Sequence, residues 1–125
     1  MRVEEQIQIE IFSYLAVKYP HVLAISEPSG VRVSMGLARK LKRLRSPHTH
    51  LDIYVMSPRG RYHGLIIELK AKNIYKKNGE LLKNDHLEDQ QRTIDTLNKE
   101  GYYATFAVGY TEAINLIDNY LNNKL

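Results

Sequence analysis

Between residues 3 and 18, apolar side chains recur at Ile7, Ile11 and Leu15 and again at Ile9, Phe12 and Ala16. That spacing lays a wide buried face along a helix ending near Pro20. The pattern then shortens. Residues 21–26 (HVLAIS) form an apolar run bounded by Pro20 and the Pro28-Ser29-Gly30 turn signal, which predicts a strand. A basic stretch follows, with Gly30 and Gly36 in its first half, and reads as loop or short helix. Residues 51–56 (LDIYVM) and 64–70 (GLIIELK) are strand-like and separated by Ser57-Pro58-Arg59-Gly60-Arg61, which predicts an antiparallel hairpin. Residues 71–85 are polar, carry an Asn78-Gly79 turn signal and read as a mobile connection. A second long helix is expected over 86–99, with Ile94 and Leu97 inward and Gly101 as its C-terminal cap. Residues 102–109 (YYATFAVG) predict another strand, and Thr111 is placed to cap a last helix bearing Ile114, Ile117 and Leu121. No internal repeat or linker interrupts the order α, β, basic segment, ββ, α, β, α, so the pattern predicts one α/β domain over residues 1–125.

Composition narrows the chemistry. The 125 residues are 43% hydrophobic and 26% charged, a globular balance with room for one core. There is no cysteine, which excludes a disulfide framework and thiolate metal ligation and leaves oxygen or imidazole to hold any metal. The N-terminus MRVEEQIQIE is acidic and amphipathic where a signal peptide would be basic and then apolar, and no apolar run approaches the ~20 residues of a membrane span. The expectation is a cytoplasmic protein with no membrane partner. Lysine and arginine number 18 against 14 acids, a net charge of +4, and the distribution says more than the sum. From Pro28 to Leu51 there is no acidic residue, while Arg32, Arg39, Lys40, Lys42, Arg43 and Arg45 all fall inside. Such a stretch is the electrostatic footprint of a phosphate-binding surface, although a solvated basic helix has the same composition.

The hairpin supplies a second signal. If it turns about Gly60, residues opposite each other have numbers summing to about 120, which sets Val55 against Leu65 and Asp52 against Glu68. Opposed residues share a face with Cβ atoms roughly 4.5–5.5 Å apart, and Lys70, two residues on, shares it too. A register shift of two keeps all three together, whereas a shift of one separates Asp52 from the others. The surrounding strand residues are apolar on both faces, so the charges interrupt a buried strand pair. Two facing carboxylates at a core edge repel each other and lose hydration, and a hard cation such as Mg²⁺ is the natural compensation. The residues alone also admit a plainer arrangement, with Glu68 and Lys70 as a strand-end charge pair and Asp52 facing water.

Asp52, a hairpin and then Ile67-Glu68-Leu69-Lys70 resemble the PD-(D/E)XK nuclease superfamily, and the flanking pattern is similar to its VRR-NUC family. Glu4-x-x-Ile7-Gln8-x-x-Ile11-Phe12 resembles the family's first helix, which contributes a glutamate. His86-Leu87-Glu88-Asp89-Gln90, with Ile94, Leu97 and Gly101-Tyr102-Tyr103-Ala104, resembles its helix with a site-facing glutamine and the core strand after it. The closing Phe106-Ala107-Val108-Gly109-Tyr110-Thr111-Glu112-Ala113 is similar to compact, standalone phage-encoded members. One departure is His48-Thr49-His50-Leu51-Asp52, with leucine where the family shows proline. The proline is structural, so its loss leaves the aspartate's role intact. His48 and His50 are candidate ligands or phosphate contacts, or simply part of a polar loop. Glu5 and Glu10 lie on the same helix as Glu4, which is preferred by its spacing to Ile7 and Gln8. Gln90 is preferred to Gln91 by its spacing to Ile94 and Leu97.

The resemblance implies an α/β fold with a restriction-endonuclease-like αβββαβ core, a mixed central sheet flanked by helices. It implies that Asp52, Glu68 and the backbone carbonyl of Leu69 hold Mg²⁺, with Mn²⁺ able to substitute, and that Glu4 reaches the same or a second ion. Lys70 would position the attacking water or neutralise charge, and Gln90 would orient the water or a phosphate. Arg32, Arg39, Lys40, Lys42, Arg43 and Arg45 would track the nucleic-acid backbone. The activity implied is metal-dependent endonucleolytic hydrolysis of DNA, with branched substrates such as Holliday junctions cut by a homodimer, in the host cytoplasm if the chain is phage-encoded. A nickase or flap nuclease, a non-catalytic nucleic-acid-binding module on the same fold, and a structural subunit of a phage or repair assembly are the alternatives.

Overall fold

A computed structural model describes residues 3–27 and 33–125, so Arg32, among the expected phosphate contacts, lies outside the described residues. The elements are α1 (Val3–Lys18), β1 (Ala24–Ser26), α2 (Met35–Arg43), β2 (Ile53–Val55), β3 (Leu65–Lys70), α3 (Asp85–Lys99), β4 (Tyr103–Val108) and α4 (Gly109–Leu121). The four strands make one sheet in the order β1-β2-β3-β4. The first two pairings are antiparallel and β3–β4 is parallel. A parallel neighbour cannot be reached by a tight turn, and α3 is the crossover that returns the chain. The result is the expected mixed sheet flanked by helices.

Both faces of the sheet are covered, because the central strands are apolar at consecutive positions. On one face Ile53, Val55, Leu65, Ile67 and Leu69 pack with Ile11 and Leu15 of α1 and with Ala113, Ile114 and Ile117 of α4. On the other, Ile66, Ala104 and Phe106 pack with Leu87 and Ile94 of α3. The buried stripe of α1 is narrower than its sequence suggests: Ile11 and Leu15 are buried, whereas Ile9 and Ala16 face outward. The basic segment resolves into helix, with Ser34 Oγ accepting the Leu37 N–H at 3.2 Å as its N-cap. No side chain of α2 is buried.

The hairpin follows the expected register, pairing Val55 with Leu65 and Ile53 with Ile67. Its tip does not. Arg59 pairs with Tyr62, so three residues on one arm and two on the other separate tip from body. This extra residue is a bulge, and the tip is one residue out of step with the body. Gly64 lies at the transition, where a Cβ would sit 2.9 Å from the Val55 carbonyl oxygen, so the arms can approach only because it is glycine.

Two sequence expectations are corrected. The connection after β3 is partly ordered by a small loop at Asn78-Gly79, where Lys76 N donates to Glu80 O at 2.7 Å and Leu82 N to Ile74 O at 2.8 Å. Ile74 is buried and pins the loop to the core. Thr111 is not a helix cap, because α4 begins at Gly109 and its N-cap, Val108, makes no side-chain cap bond. Gly109 has φ +83°, a left-handed conformation that lets β4 turn directly into the helix.

Candidate active site

β2 begins one residue after Asp52, and Asp52 continues the ladder with its backbone N–H and its side chain. Its N–H donates to the Ile67 carbonyl at 3.1 Å, and its Oδ2 accepts the Leu69 N–H at 2.8 Å. Within a strand the N–H and C=O of one residue leave on the same side, so the Leu69 carbonyl is also directed toward Asp52 rather than toward β4. Gln8 of α1 holds the backbone here, its Nε2 donating to the Asp52 carbonyl at 3.0 Å and to Ser26 Oγ at 2.5 Å.

Glu68 lies on the face that meets α3 and is 5% exposed. Gln90, 3% exposed, donates from Nε2 to Glu68 Oε2 at 2.8 Å. Lys70 Nζ stands 3.8 Å from the same oxygen and 5.9 Å from the centre of the Phe106 ring. Glu68 Oε1 and Gln90 Oε1 are buried with no hydrogen-bond partner. Burial pushes the Glu68 carboxyl well above the ordinary carboxylate range, and the facing Asp52 adds to the rise while Lys70 opposes it. Asp52 is raised as well, by burial first, against the lowering effect of the Leu69 N–H bond. The field of Glu4 raises both. Two carboxyl groups held this way are both charged only with a compensating cation close by; without one, a carboxyl keeps its proton.

These groups line a cleft of about 870 Å³ whose wall includes Glu4, Glu5, Lys42, Arg45, His48, His50, Asp52, Glu68, Lys70, His86 and Gln90. The structure thus brings together Asp52, Glu68, Lys70, Glu4 and Gln90. Glu5 reaches the cleft beside Glu4, but Glu10 does not line it and accepts from Gln6 Nε2 at 3.2 Å. Gln91 turns outward, donating to Asp95 Oδ1 at 2.9 Å. Of the basic set, Lys42 and Arg45 line the cleft, whereas Arg39, Lys40 and Arg43 are exposed on α2 outside it. Arg45 is not a free cation: its guanidinium lies 2.5 Å from Glu27 Oε1, and His50 Nδ1 stands 3.9 Å from Glu27 Oε2.

No family model matches the chain, and no curated protein matches it. A solved structure described as a "VRR_NUC domain protein" aligns with 98% of this chain and 90% of its own, at 24% identity and a TM-score of 0.67. The chain shares the fold of a VRR_NUC domain protein. The alignment spans nearly the whole chain, and at this identity it is a likeness of fold. No helix among the described residues is long and apolar enough to cross a membrane.

Among the described residues no three His, Asp or Glu side chains converge as a ready-made metal cage. The donors nonetheless fit a small hard cation. Mg²⁺ retains several waters and binds through one or two carboxylates, and here an unpartnered buried Glu68 oxygen, the facing Asp52 and the Leu69 carbonyl supply oxygen donors only.

Three contributors were not singled out as site residues from sequence. Gln8 and His86 appear in the sequence only as motif positions, although His86 and Gln90 are four apart on a helix and so share a face. Glu27 had no signal, because its partner Arg45 is distant in the chain, beyond the end of α2.

Proposed function

We propose that residues 1–125 form a single nuclease domain of the VRR-NUC family that hydrolyses DNA phosphodiester bonds with Mg²⁺, Mn²⁺ substituting. The observation that carries this reading is the facing pair of half-buried Asp52 and buried Glu68, each raised above its ordinary value, in the wall of a cleft that also holds Lys42 and Lys70. A structural strand-end pair has no need of the second carboxylate.

Asp52, Glu68 and the Leu69 carbonyl would hold the ion, with Glu4 within reach from the first turn of α1. A bound ion supplies Lewis-acid stabilisation of developing charge and lowers the pKa of a water. Lys70, its side chain packed against Phe106, offsets negative charge on the phosphate oxygens as the bond breaks. Gln90 orients water or phosphate from the α3 side. Lys42 on the cleft wall, with Arg39, Lys40 and Arg43 on exposed α2, contacts phosphates without reading sequence. Arg45, already paired with Glu27, holds the cleft wall in place.

One site cuts one strand, so paired cuts across a junction call for a twofold dimer. The reading therefore includes a homodimer acting on branched DNA such as four-way junctions. The test is cleavage of end-labelled four-way junction, flap and linear duplex by wild type with Mg²⁺, Mn²⁺ or EDTA. Metal-dependent cutting with preference for the junction supports the whole reading, and preference for the flap replaces the substrate class. Binding without cutting on any substrate replaces the enzyme with a binding module.

A further inference from the structure

The segment from Ser46 to His50 borders two hollows. One is the active-site cleft, and the other, of about 730 Å³, lies between the segment, Tyr54 and the α3 residues from Asp89 to Leu97. The segment is held as a fixed partition: Thr93 Oγ1 of α3 donates to the Thr49 carbonyl at 2.7 Å, and His48 N donates to the Ser46 carbonyl at 2.8 Å. The two hollows differ in charge. The cleft carries its carboxyl groups with Lys42 and Lys70, whereas the aspartate and arginine of the second hollow, Asp89 and Arg92, are bonded to each other. Pro47 and the half-buried Tyr54 and Leu97 give the second hollow apolar walls, and the Tyr54 ring is fixed by its hydroxyl, which accepts the Leu51 N–H at 3.2 Å. Thr93 and Thr96 add two hydroxyls whose hydrogens are committed, to Thr49 O and to Arg92 O at 2.9 Å, so that what they offer an occupant is acceptor lone pairs. Apolar walls with a few polar groups, at a volume within the usual range of about 300–1,000 Å³, are the features of a small-ligand site.

A nucleotide divides in the same way, into a charged phosphate and a neutral base with apolar faces and hydrogen-bonding edges. We propose that the second hollow is a nucleobase subsite, which takes the base of an unpaired nucleotide next to the phosphate held in the cleft, with Ser46–His50 as the partition between phosphate and base. Tyr54 and Leu97 cover the faces of the base, and the Thr93 and Thr96 oxygens accept N–H bonds from its edge. A base in an intact duplex reaches such a site only by breaking its stacking and pairing, whereas an unpaired one enters at little cost. The inference rests on the nuclease reading and narrows its substrate class to strands with an unpaired nucleotide beside the cut, as at a flap or where a pair opens at a branch point.

The test uses the full chain with Ca²⁺ in place of Mg²⁺, and reads binding rather than cutting. The probes are a duplex with a short single-stranded flap, carrying 2-aminopurine at one flap position at a time, and the uninterrupted duplex of the same sequence. Thr96 is exposed on α3 and lines the hollow, so Thr96→Phe fills the space, while Thr96→Ala keeps it open and removes the hydroxyl. The expected result is that one flap position next to the branch is shielded from acrylamide quenching in the complexes of wild type and Thr96→Ala but not of Thr96→Phe. Thr96→Phe should also bind the flap about ten- to a hundredfold more weakly, the scale of one lost base contact, with duplex affinity and melting temperature unchanged. Shielding that persists in Thr96→Phe, equal loss in the two variants, or equal affinity of wild type for flap and duplex overturns the proposal. Absence of all DNA binding overturns the nuclease reading with it. If the shielding is found but wild type with Mg²⁺ cuts nothing, the nuclease reading fails while the base subsite stands.

Discussion

The Asp52 carboxylate accepts the Leu69 N–H at 2.8 Å, filling the place in the ladder where a β2 carbonyl would otherwise stand. One oxygen of Asp52 is thereby committed to the sheet and the group is held toward Glu68. Asp52→Asn keeps an oxygen for the Leu69 bond but removes the charge. The expected outcome is a fold within a few degrees of wild-type melting temperature and cleavage lower by at least about a hundredfold, the scale of losing a main electrostatic contributor. Circular dichroism melting beside single-turnover cleavage checks it, and near-normal cleavage would remove Asp52 from the site.

Both site carboxyls are raised in the folded state, from 3.8 for Asp52 and 4.5 for Glu68, so the folded chain keeps protons that the unfolded chain releases. Stability that is fully present below these ordinary values is lost as pH rises through the raised ones. Without divalent cations, the melting temperature should fall between pH 5 and about 9 more steeply in wild type than in Glu68→Gln. Mg²⁺ should recover the alkaline loss in wild type only, since a ligand of the native state stabilises it by mass action. Parallel profiles for the two proteins, with or without Mg²⁺, would show that Glu68 carries no such strain.

Gly64→Ala probes the hairpin. The added methyl meets the Val55 carbonyl at 2.9 Å, and backbone cannot swing aside as a side chain can. A loss of about 1–3 kcal/mol is expected, the usual cost of forcing an extra carbon into a packed position. Urea unfolding measures it, and Gly60→Ala, at φ +55° but with open space around its Cβ, separates crowding from backbone strain. No loss in Gly64→Ala would show that the hairpin arms move apart to admit the methyl.

The basic residues divide by position. Lys42→Ala should weaken DNA binding and reduce the slope of log affinity against log salt by about 0.9, the value for one lost phosphate contact. Arg45→Ala should act first on stability, because it removes the guanidinium that lies against the mostly buried Glu27 carboxylate. Binding titrations over a salt series, with melting curves, distinguish these effects. An unchanged salt slope in Lys42→Ala would take that lysine off the DNA path.

Asp52 and Glu68 share a face of the sheet for a reason the sequence does not display. Body pairs such as Val55 with Leu65 follow the register expected for a turn about Gly60, yet the tip pairs Arg59 with Tyr62, one residue out of step. Had the tip register run through the hairpin, Asp52 would have faced away from Glu68. The bulge and the close approach at Gly64 restore the step, aided by a His63 N–H bond to the Gly101 carbonyl at 2.9 Å. Long periodic elements such as α3, and the paired strands around Glu68, were legible because local periodicity and turn chemistry decide them. The α2 helix was not, because a helix with no buried side chain leaves no inward stripe to read. The Glu27–Arg45 pair and the docking of Ile74 were equally hidden, since each depends on contacts between elements distant in sequence.

Asp52 and Glu68 are proposed to form a cation-dependent centre for phosphodiester cleavage. The most direct measurement is single-turnover cleavage of a labelled four-way junction by wild type and Glu68→Gln, each with Mg²⁺ and with EDTA. Cutting is expected from wild type with Mg²⁺ alone, and none from the variant although it stays folded and binds the same DNA. Cutting in EDTA, or by Glu68→Gln at the wild-type rate, would contradict it.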